Sequence, residues 1–212
     1  MSAGENRNIK VVCFSEIQWK YVRTRKQQIL SRFPESWEIL FLSTFVKGKR
    51  NNIIPERDGR LVHACVPIFK NFPKEWQRKL FSLRTVRFLW NVLIYLWVKL
   101  LFLVTGFNTR DRVFIVSNIY YGAILRHLKR RLTLYDCNDD HLGFPNTPDW
   151  AELYLMAVIE ESDIVVAVSE ELVDKLKLMG VDRIFHIGNG CLLYTSDAAD
   201  EGLGVDLGGR RI

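Results

Sequence analysis

Residues 163–190 read DIVVAVSEELVDKLKLMGVDRIFHIGNG, and the pattern of this segment gives the clearest indication of the fold. It opens on a short apolar run, residues 163–169, which is typical of a strand buried on both faces. The next segment, EELVDKLKLMG, has helical spacing and ends on Gly180, a common C-terminal stop. A second apolar run, residues 183–188, then follows. Strand, helix and strand in this order predict a βαβ unit with parallel strands.

The same alternation extends toward the N-terminus. Further strand-like runs are IKVVCFS (residues 9–15), WEILFLSTF (37–45), RLVHACVPI (60–68), RVFIVS (112–117) and LTLYDC (132–137). Helical patterns between them are WKYVRTRKQQILSRF (19–33), AILRHLKRR (123–131) and AELYLMAVIEE (151–161). Together they predict one α/β domain over residues 1–190, with a Rossmann-like, doubly wound, mainly parallel sheet of about seven strands.

Composition and charge narrow the class of protein. The chain has 212 residues, of which 48% are apolar and 25% charged, and this excludes a disordered or collagen-like chain. Charge is uneven, because residues 70–131 hold 13 Lys and Arg against 2 Asp and Glu, whereas residues 132–190 hold 3 against 12. The basic stretch indicates an anionic partner, either membrane headgroups or nucleic acid.

The cysteines and the N-terminus suggest a cytoplasmic protein. Cys13, Cys65, Cys137 and Cys191 have no CxxC spacing, and three of them lie in or beside apolar runs. We therefore expect buried thiols in a reducing compartment. The polar N-terminus MSAGENRNIK lacks an apolar core, so no signal peptide is expected.

Residues 191–212, CLLYTSDAADEGLGVDLGGRRI, do not continue the preceding periodic pattern. The string CLLYTSDAADE resembles the translation of a transposase-type sequencing adapter read through in an open frame. We therefore expect the domain to end near Gly190 and residues 191–212 to be a non-native tail. The alternative is a natural, loosely ordered C-terminal tail.

The apolar segment 86–104 is long enough to raise the question of a membrane helix. Its polar residues recur every three or four positions, which places Arg84, Arg87, Asn91, Tyr95 and Lys99 on one stripe. This favours a helix lying in the membrane interface with the stripe toward headgroups, at the inner face of the cell membrane. The alternatives are a core helix with the stripe in solvent and, third, a true span. The predicted membrane contacts are Lys74, Arg78, Lys79, Arg84, Arg87, Trp90, Trp97 and Lys99.

Nucleic acid is not expected as a partner. Aromatic side chains near the basic residues could in principle stack on bases. However, these aromatics lie among continuous aliphatic residues, and no nucleic-acid-binding motif is present.

The predicted sheet directs attention to residues that follow its strands, because ligands of open α/β sheets bind beyond the carboxyl ends at a topological switch point. No GxGxxG follows the first strand and no GxxxxGK[ST] occurs anywhere, which argues against dinucleotide and P-loop nucleotide sites. The candidate binding residues at strand ends are Glu16, Trp19, Asn118, Asp136, Ser169 and Asn189.

An acidic cluster follows the fifth of these strands, in YDCNDDHLGFPN. Burial and like charge could raise the pKa of one of its carboxylates, Asp136, Asp139 or Asp140, into the range of a general base. The cluster could also hold a divalent cation, or Asp139 and Asp140 could cap a turn, which is the commonest role of Asp after a strand. His141 taken alone would be an ordinary surface or capping residue.

Three segments carry a resemblance to a known family: EIQWKYVRTRKQQIL (16–30), YDCNDD (135–140) and EESDIVVAVSEELVDKLKLMGVDRIFHIGNG (160–190). Together they resemble the N-terminal half of a GT-B glycosyltransferase of the group 1 (family 4) type. Within that family the likeness is to bacterial cell-wall and exopolysaccharide enzymes of the TuaH-like, teichuronic-acid kind. Lys26 departs from the proline often found beside the family's Arg.

The resemblance implies retaining transfer of a sugar from a nucleotide-sugar donor to a lipid-linked or polysaccharide acceptor. The donor would be held mainly by a second domain, so no cofactor or metal is expected on this fragment and it would be inactive alone. Carried over residue by residue, Glu16, Trp19 and Arg25 would line the interdomain cleft. Asp139, Asp140 and His141 would be catalytic beside Asp136, with Ser169 and Asn189 at the cleft border.

Two other functions remain open on the sequence. One is a self-contained Rossmann-like binding protein at a membrane surface. The other is a different α/β transferase or epimerase that uses the same strand-end carboxylates on a soluble metabolite.

Overall fold

A computed structural model describes residues 8–20, 23–46, 51–69, 74–145 and 147–189 of the chain. Most of its strands form where short β-branched and aromatic runs can be buried on both faces. They are β1 (Lys10–Phe14), β2 (Glu38–Phe45), β3 (Glu56–Asp58), β4 (Leu61–Phe69), β5 (Val113–Val116), β6 (Leu132–Cys137), β7 (Ile164–Ala167) and β8 (Ile184–His186).

The helices connect the strands. They are α1 (Arg25–Ser31), α2 (Lys74–Ser82), α3 (Arg84–Val104), α4 (Gly122–Leu125), α5 (Ala151–Glu160) and α6 (Glu170–Leu178). A 3₁₀ turn over Ile119–Tyr121 precedes α4. Gly180 ends the last connection with φ of 84°, a left-handed conformation that explains its place after α6.

The strands form one sheet in the order β3-β4-β2-β1-β5-β6-β7-β8. All neighbouring pairs are parallel except β3 and β4. The chain starts at β1, moves outward through β2 to β4, and returns to place β5 on the other side of β1. The topological switch point therefore lies between β1 and β5, where the sequence places Glu16 and Asn118.

Helices cover both faces of the sheet, as the doubly wound prediction requires. The larger core cluster lies under α3 to α6 and contains Phe14 and Phe114, whose rings meet edge to face at 5.1 Å. The smaller cluster lies under α1 and contains Cys13, Leu30 and Phe41. The Rossmann-like, mainly parallel architecture is confirmed.

Three local expectations need correction. The sheet has an eighth strand, β3, which sequence analysis missed because its residues ERD are charged and pair by backbone at an edge. α1 begins only at Arg25, because the Gln27 side chain accepts a hydrogen bond from the Thr24 N–H at 3.1 Å and caps it there. The helix expected over residues 123–131 ends at Leu125, whose carbonyl accepts from the Arg130 guanidinium at 2.7 Å.

α3 is one helix of 21 residues, and by length and composition alone it could cross a membrane. It is nevertheless part of the domain core. Ile94, Val98, Leu101 and Phe102 pack under it against the sheet.

The rotation of α3 differs from the expected one. Asn91 accepts a hydrogen bond from the Tyr154 hydroxyl at 3.1 Å, and the Tyr95 ring contacts His127. The Arg87 guanidinium donates to the carbonyls of Phe81 and Ser82. The expectation that this stripe faces headgroups or solvent is therefore wrong for these three residues. Their partners lie at the end of α2, after α4 and on α5, on the protein side of the helix.

Candidate functional site

The carboxyl ends of β1 and β5 bring Glu16 to the switch point. The Ser117 hydroxyl, which follows β5, donates to Glu16 Oε2 at 3.1 Å. The Asn138 amide, which follows β6, approaches Glu16 Oε1 at 3.4 Å. Lys26 of α1 forms an ion pair with the same carboxylate through Oε1, the oxygen that Asn138 also approaches. Glu16 thus joins three neighbouring strand ends and a helix.

Lys26 is the residue that sequence reasoning missed. Its side chain is only 2% exposed, and its ammonium lies against Glu16. Burial alone would raise the pKa of Glu16, but the Lys26 charge and the hydrogen bonds from Lys26 and Ser117 outweigh it and lower that pKa. Glu16 is therefore ionised at neutral pH and fully engaged. The available signal was a basic residue at position 26, where the resembled family often has proline; its burial is seen only in the structure.

His141 and Asn138 leave polar atoms without partners at this edge. Within the described residues, His141 Nε2 and Asn138 Oδ1 are buried and have no hydrogen-bond partner. Burial lowers the pKa of His141, so its imidazole is neutral at neutral pH. A buried acceptor or donor without a partner is costly unless a ligand completes it. Both atoms lie below the surface, so a ligand would contact them only by entering this edge of the sheet.

Asp136 and Arg25 meet at the same edge. Arg25 Nε lies 3.5 Å from Asp136 Oδ1, and Arg25 Nη1 donates to the carbonyls of Ile187 and Gly188 at 2.7 and 2.8 Å. Burial raises the pKa of Asp136, although Arg25 and Lys26 oppose the rise. Arg25 thus fixes the end of β8 against α1, and its charge faces Asp136.

The two aspartates of the acidic cluster differ from each other. Lys175 of α6 donates to both carboxylate oxygens of Asp140 at 2.7 and 2.8 Å, and these hydrogen bonds lower the pKa of Asp140. Asp140 also accepts from the Leu142 N–H, so it caps the turn. Asp139 is exposed, and within the described part of the chain its carboxylate has no hydrogen-bond or ion-pair partner. Asp140 has a structural role and Asp139 faces solvent at the site.

Other predicted residues serve local structure. Asn118 Oδ1 accepts from the Tyr120 N–H at 3.0 Å and caps the 3₁₀ turn, and Ser169 Oγ accepts from the Leu172 N–H and caps α6. The Trp19 ring packs edge to face on Phe41, 5.1 Å away. Asn189 is exposed where the described chain ends.

A metal centre is not supported by geometry at the acidic cluster. Among the residues that the structure describes, no group of three His, Cys, Asp or Glu side chains is placed to hold a metal ion.

The predicted membrane contacts divide into three groups. Lys79 and Arg84 are exposed and Lys99 is half-buried. Arg87, Trp90 and Trp97 face the domain: the Arg87 guanidinium lies over the Trp150 ring, Trp90 packs on the core, and Trp97 Nε1 donates to the Cys65 carbonyl at 3.0 Å. The side chains of Lys74 and Arg78 lie outside the described residues, as does the whole of the tail 191–212.

Comparisons with known proteins give a fold but no family from sequence. No protein-family model matches the chain, and no curated protein matches it either. Two solved structures of similar fold are the E. coli trehalose-6-phosphate synthase structure bound with UDP-2-fluoro glucose and the sucrose-phosphate synthase of Thermosynechococcus elongatus. The chain is 12% identical to each, with TM-scores of 0.57 and 0.60.

These solved structures match nearly all of this chain, whereas the chain matches only about half of each of them. The chain is covered over 92% and 94% of its length, but it spans about half of those proteins, 51% and 54%. A shorter chain of the Thermosynechococcus elongatus synthase is 96% covered at 14% identity, with a TM-score of 0.54. The chain therefore has the Rossmann-like α/β fold found in the halves of GT-B glycosyltransferases.

Proposed function

We propose that the chain is the N-terminal, acceptor-side domain of a GT-B glycosyltransferase. It would transfer a sugar from a nucleotide-sugar donor to a glycan or lipid-linked acceptor at the cytoplasmic face of the cell membrane. The observation that carries the proposal is the convergence of Glu16, Asn138 and His141 at the switch point of this fold. The group 1 (family 4) motifs in the sequence agree with it, and a solved protein of similar fold binds UDP-2-fluoro glucose.

The site chemistry suits recognition of a sugar. A neutral His141 with an unpaired Nε2, beside the unpaired Asn138 Oδ1, can exchange hydrogen bonds with sugar hydroxyls. The Glu16–Lys26 pair holds Asn138 in place and supplies a fixed polar environment. His141 is the residue we assign to contact the reacting sugar, and the exposed Asp139 lies two residues before it.

The proposal also requires a second domain, which would bind the donor. In the resembled family a second domain binds the donor diphosphate, and retaining transfer takes place between the two domains. The chain as given would then have no turnover, since the donor would lack its phosphate partners and water would reach the site. Localisation in the cytoplasm agrees with three buried free thiols, Cys13, Cys65 and Cys137.

The first experiment is to read the source DNA across codon 190. A frame that continues into a second α/β domain with paired glutamates and a nearby Lys or Arg supports the proposal. A frame that continues through CLLYTSDAADE to a natural stop contradicts it, and the chain would then be a one-domain binding protein.

The decisive assay uses the complete enzyme with a nucleotide sugar. We expect His141→Asn to lower kcat by about 100-fold, because the site loses a positioned hydrogen-bonding group. His127→Asn, an exposed histidine beside Tyr95, is the matched control and should keep wild-type turnover. Equal rates in both variants would remove His141 from the reaction.

A further inference from the structure

α3 exposes an uninterrupted apolar face. From residue 88 to 104, every exposed side chain of this helix is apolar, with exposed fractions between 38% for Val92 and 66% for Leu103. The members of this apolar face are Phe88, Leu89, Val92, Leu93, Leu96, Leu100, Leu103 and Val104. Monomeric soluble proteins rarely leave a contiguous apolar patch of this kind in water without a binding partner.

The face is fixed by the fold and cannot be hidden by rotating the helix. Asn91 is held by the Tyr154 hydroxyl, and Trp97 Nε1 by the Cys65 carbonyl. Val98 and Phe102 are fully buried under the helix. A rotation that covered Leu93 or Leu96 would break these contacts and expose the core.

The charges around the face are positive. Lys79 and Arg84 are exposed at the N-terminal end of α3, and no Asp or Glu occurs between residues 76 and 110. Residues 70–131 as a whole hold 13 basic and 2 acidic side chains. We propose that the apolar face of α3 inserts into the acyl boundary of an anionic bilayer while Lys79 and Arg84 contact lipid headgroups.

A bilayer fits these features better than a second copy of the chain. Pairing two copies through α3 would bring two basic surfaces together without acidic partners, whereas anionic lipid supplies the opposite charge. Protein interfaces also carry about one hydrogen bond per 100–200 Å². The eight side chains of the apolar face carry no polar group, and half-buried Lys99 at its border is positively charged. The acyl region of a membrane requires no hydrogen-bonding partner from such a face.

The placement sets the orientation of the domain. The N-terminal end of α3 reaches the carboxyl edge of the sheet, because Arg87 lies over Trp150 and the Trp150 ring contacts Tyr120 after β5. The C-terminal end reaches the amino edge, where Lys10 Nζ donates to the Gly106 carbonyl at 2.6 Å. With α3 in the membrane plane, the carboxyl-edge site lies at headgroup level. This last step rests on the proposed function and its lipid-linked acceptor.

The test is sedimentation of the full chain with vesicles of phosphatidylcholine and phosphatidylglycerol. We expect the wild-type chain to bind, and Leu93→Glu/Leu96→Glu to bind at least about tenfold more weakly, because two charges enter the apolar face. The matched control is Ile54→Glu/Leu178→Glu, which adds the same charge at exposed positions outside α3 and should bind almost as wild type. Circular dichroism should show that both variants remain folded, since all four side chains are exposed.

Several results would overturn the inference. They are no binding of the wild-type chain to these vesicles, an equal loss of vesicle binding in both double variants, or binding that does not depend on the phosphatidylglycerol content. A wild-type dimer that becomes a monomer only in Leu93→Glu/Leu96→Glu, by light scattering, would assign the face to a second copy instead.

The proposed function is tested separately by transfer to a soluble acceptor with the complete enzyme. If the complete enzyme transfers sugar but the chain does not bind vesicles, only the proposed membrane contact of α3 is wrong. If the chain binds vesicles but the complete enzyme transfers no sugar, only the proposed function is wrong, and the proposed membrane contact of α3 is supported.

Discussion

At the scale of single residues, the buried Glu16–Lys26 pair carries most of the site's electrostatics. An ion pair out of water is stable only when both charges are present and hydrogen-bonded, and here Ser117 and Asn138 supply the further contacts. The pair therefore holds the ends of β1, β5 and β6 in register with α1. Its value to the protein lies in fixing the site as well as in stability.

Removing Lys26 should destabilise the domain. Lys26→Met leaves the Glu16 carboxylate buried without its cation, and we expect a loss of about 3 kcal/mol in the free energy of unfolding. Urea denaturation checks this. The double variant Lys26→Met/Glu16→Gln should recover part of the loss, and a double variant as unstable as the single one would contradict the pairing argument.

The same pair predicts a pH dependence. The folded state lowers the pKa of Glu16 below its unfolded value, so the stabilisation is complete above the unfolded pKa and is lost as pH falls through the folded pKa. The difference in Tm between wild type and Lys26→Met should therefore be large at pH 7 and shrink in acid. If the Tm difference between the two proteins grew in acid, the pKa of Glu16 would not be lowered by Lys26, contrary to this prediction.

In the complete enzyme, we expect substitutions of Asp139 and Asp140 to have different effects. Because Lys175 holds Asp140, we expect Asp140→Asn and Lys175→Met to lower stability by no more than about 1 kcal/mol each and to have equal effects on kcat. Asp139→Asn should change transfer without changing Tm. If neither Asn variant alters kcat, both carboxylates are removed from the chemistry.

At the scale of elements, α4 packs so closely on α5 that position 122 has no room for a side chain. A Cβ at Gly122 would collide with the Tyr154 carbonyl and lie 3.0 Å from Val158 Cγ2. We expect Gly122→Ala to destabilise the domain by about 2 kcal/mol, because the backbone of α5 would have to move. Thermal unfolding measures this, with Gly188→Ala as the control, since a Cβ there meets nothing closer than 4.0 Å. Equal Tm values for the two variants would contradict the close approach.

α3 shows how an element's partners decide its orientation. Periodicity placed Arg87, Asn91 and Tyr95 on one stripe, and that spacing is correct. The direction of the stripe depends on which neighbours offer hydrogen bonds and rings, and Tyr154, His127 and Trp150 come from elements far away in the chain. An amphipathic pattern alone cannot identify which of its faces meets the protein.

At the scale of the whole molecule, the core encloses its thiols. Cys13, Cys65 and Cys137 are buried, and burial raises the pKa of Cys13 to about 12. Thiolate is the reactive form, so we expect iodoacetamide at pH 8 to leave Cys13 unlabelled in the native chain and to label it after unfolding. Peptide mass mapping checks this, and the destabilised Lys26→Met should label faster. Rapid native labelling of Cys13 would contradict the packing.

Much of the fold was predictable because strands and helices leave local signals. Alternating apolar runs and Gly180 indicated β7, α6 and β8, and the parallel sheet followed from their order. β3 left no such signal, since its three charged residues pair through the backbone. At the end of the short α4, the Leu125 carbonyl accepts from Arg130, and the same guanidinium also donates to the Glu161 carbonyl 31 residues away. No local pattern reveals that second contact.

Local sequence patterns were enough to predict the class of fold, the strand ends on which the candidate residues lie, and the basic, apolar character of α3. Three features became visible only in the folded chain: Lys26 pairs with Glu16, Lys175 holds Asp140, and α3 turns an apolar face outward. The physical reason is the range of the interactions. Periodicity and capping act within a few residues of the chain, whereas ion pairs and burial join residues whose neighbourhood exists only after folding.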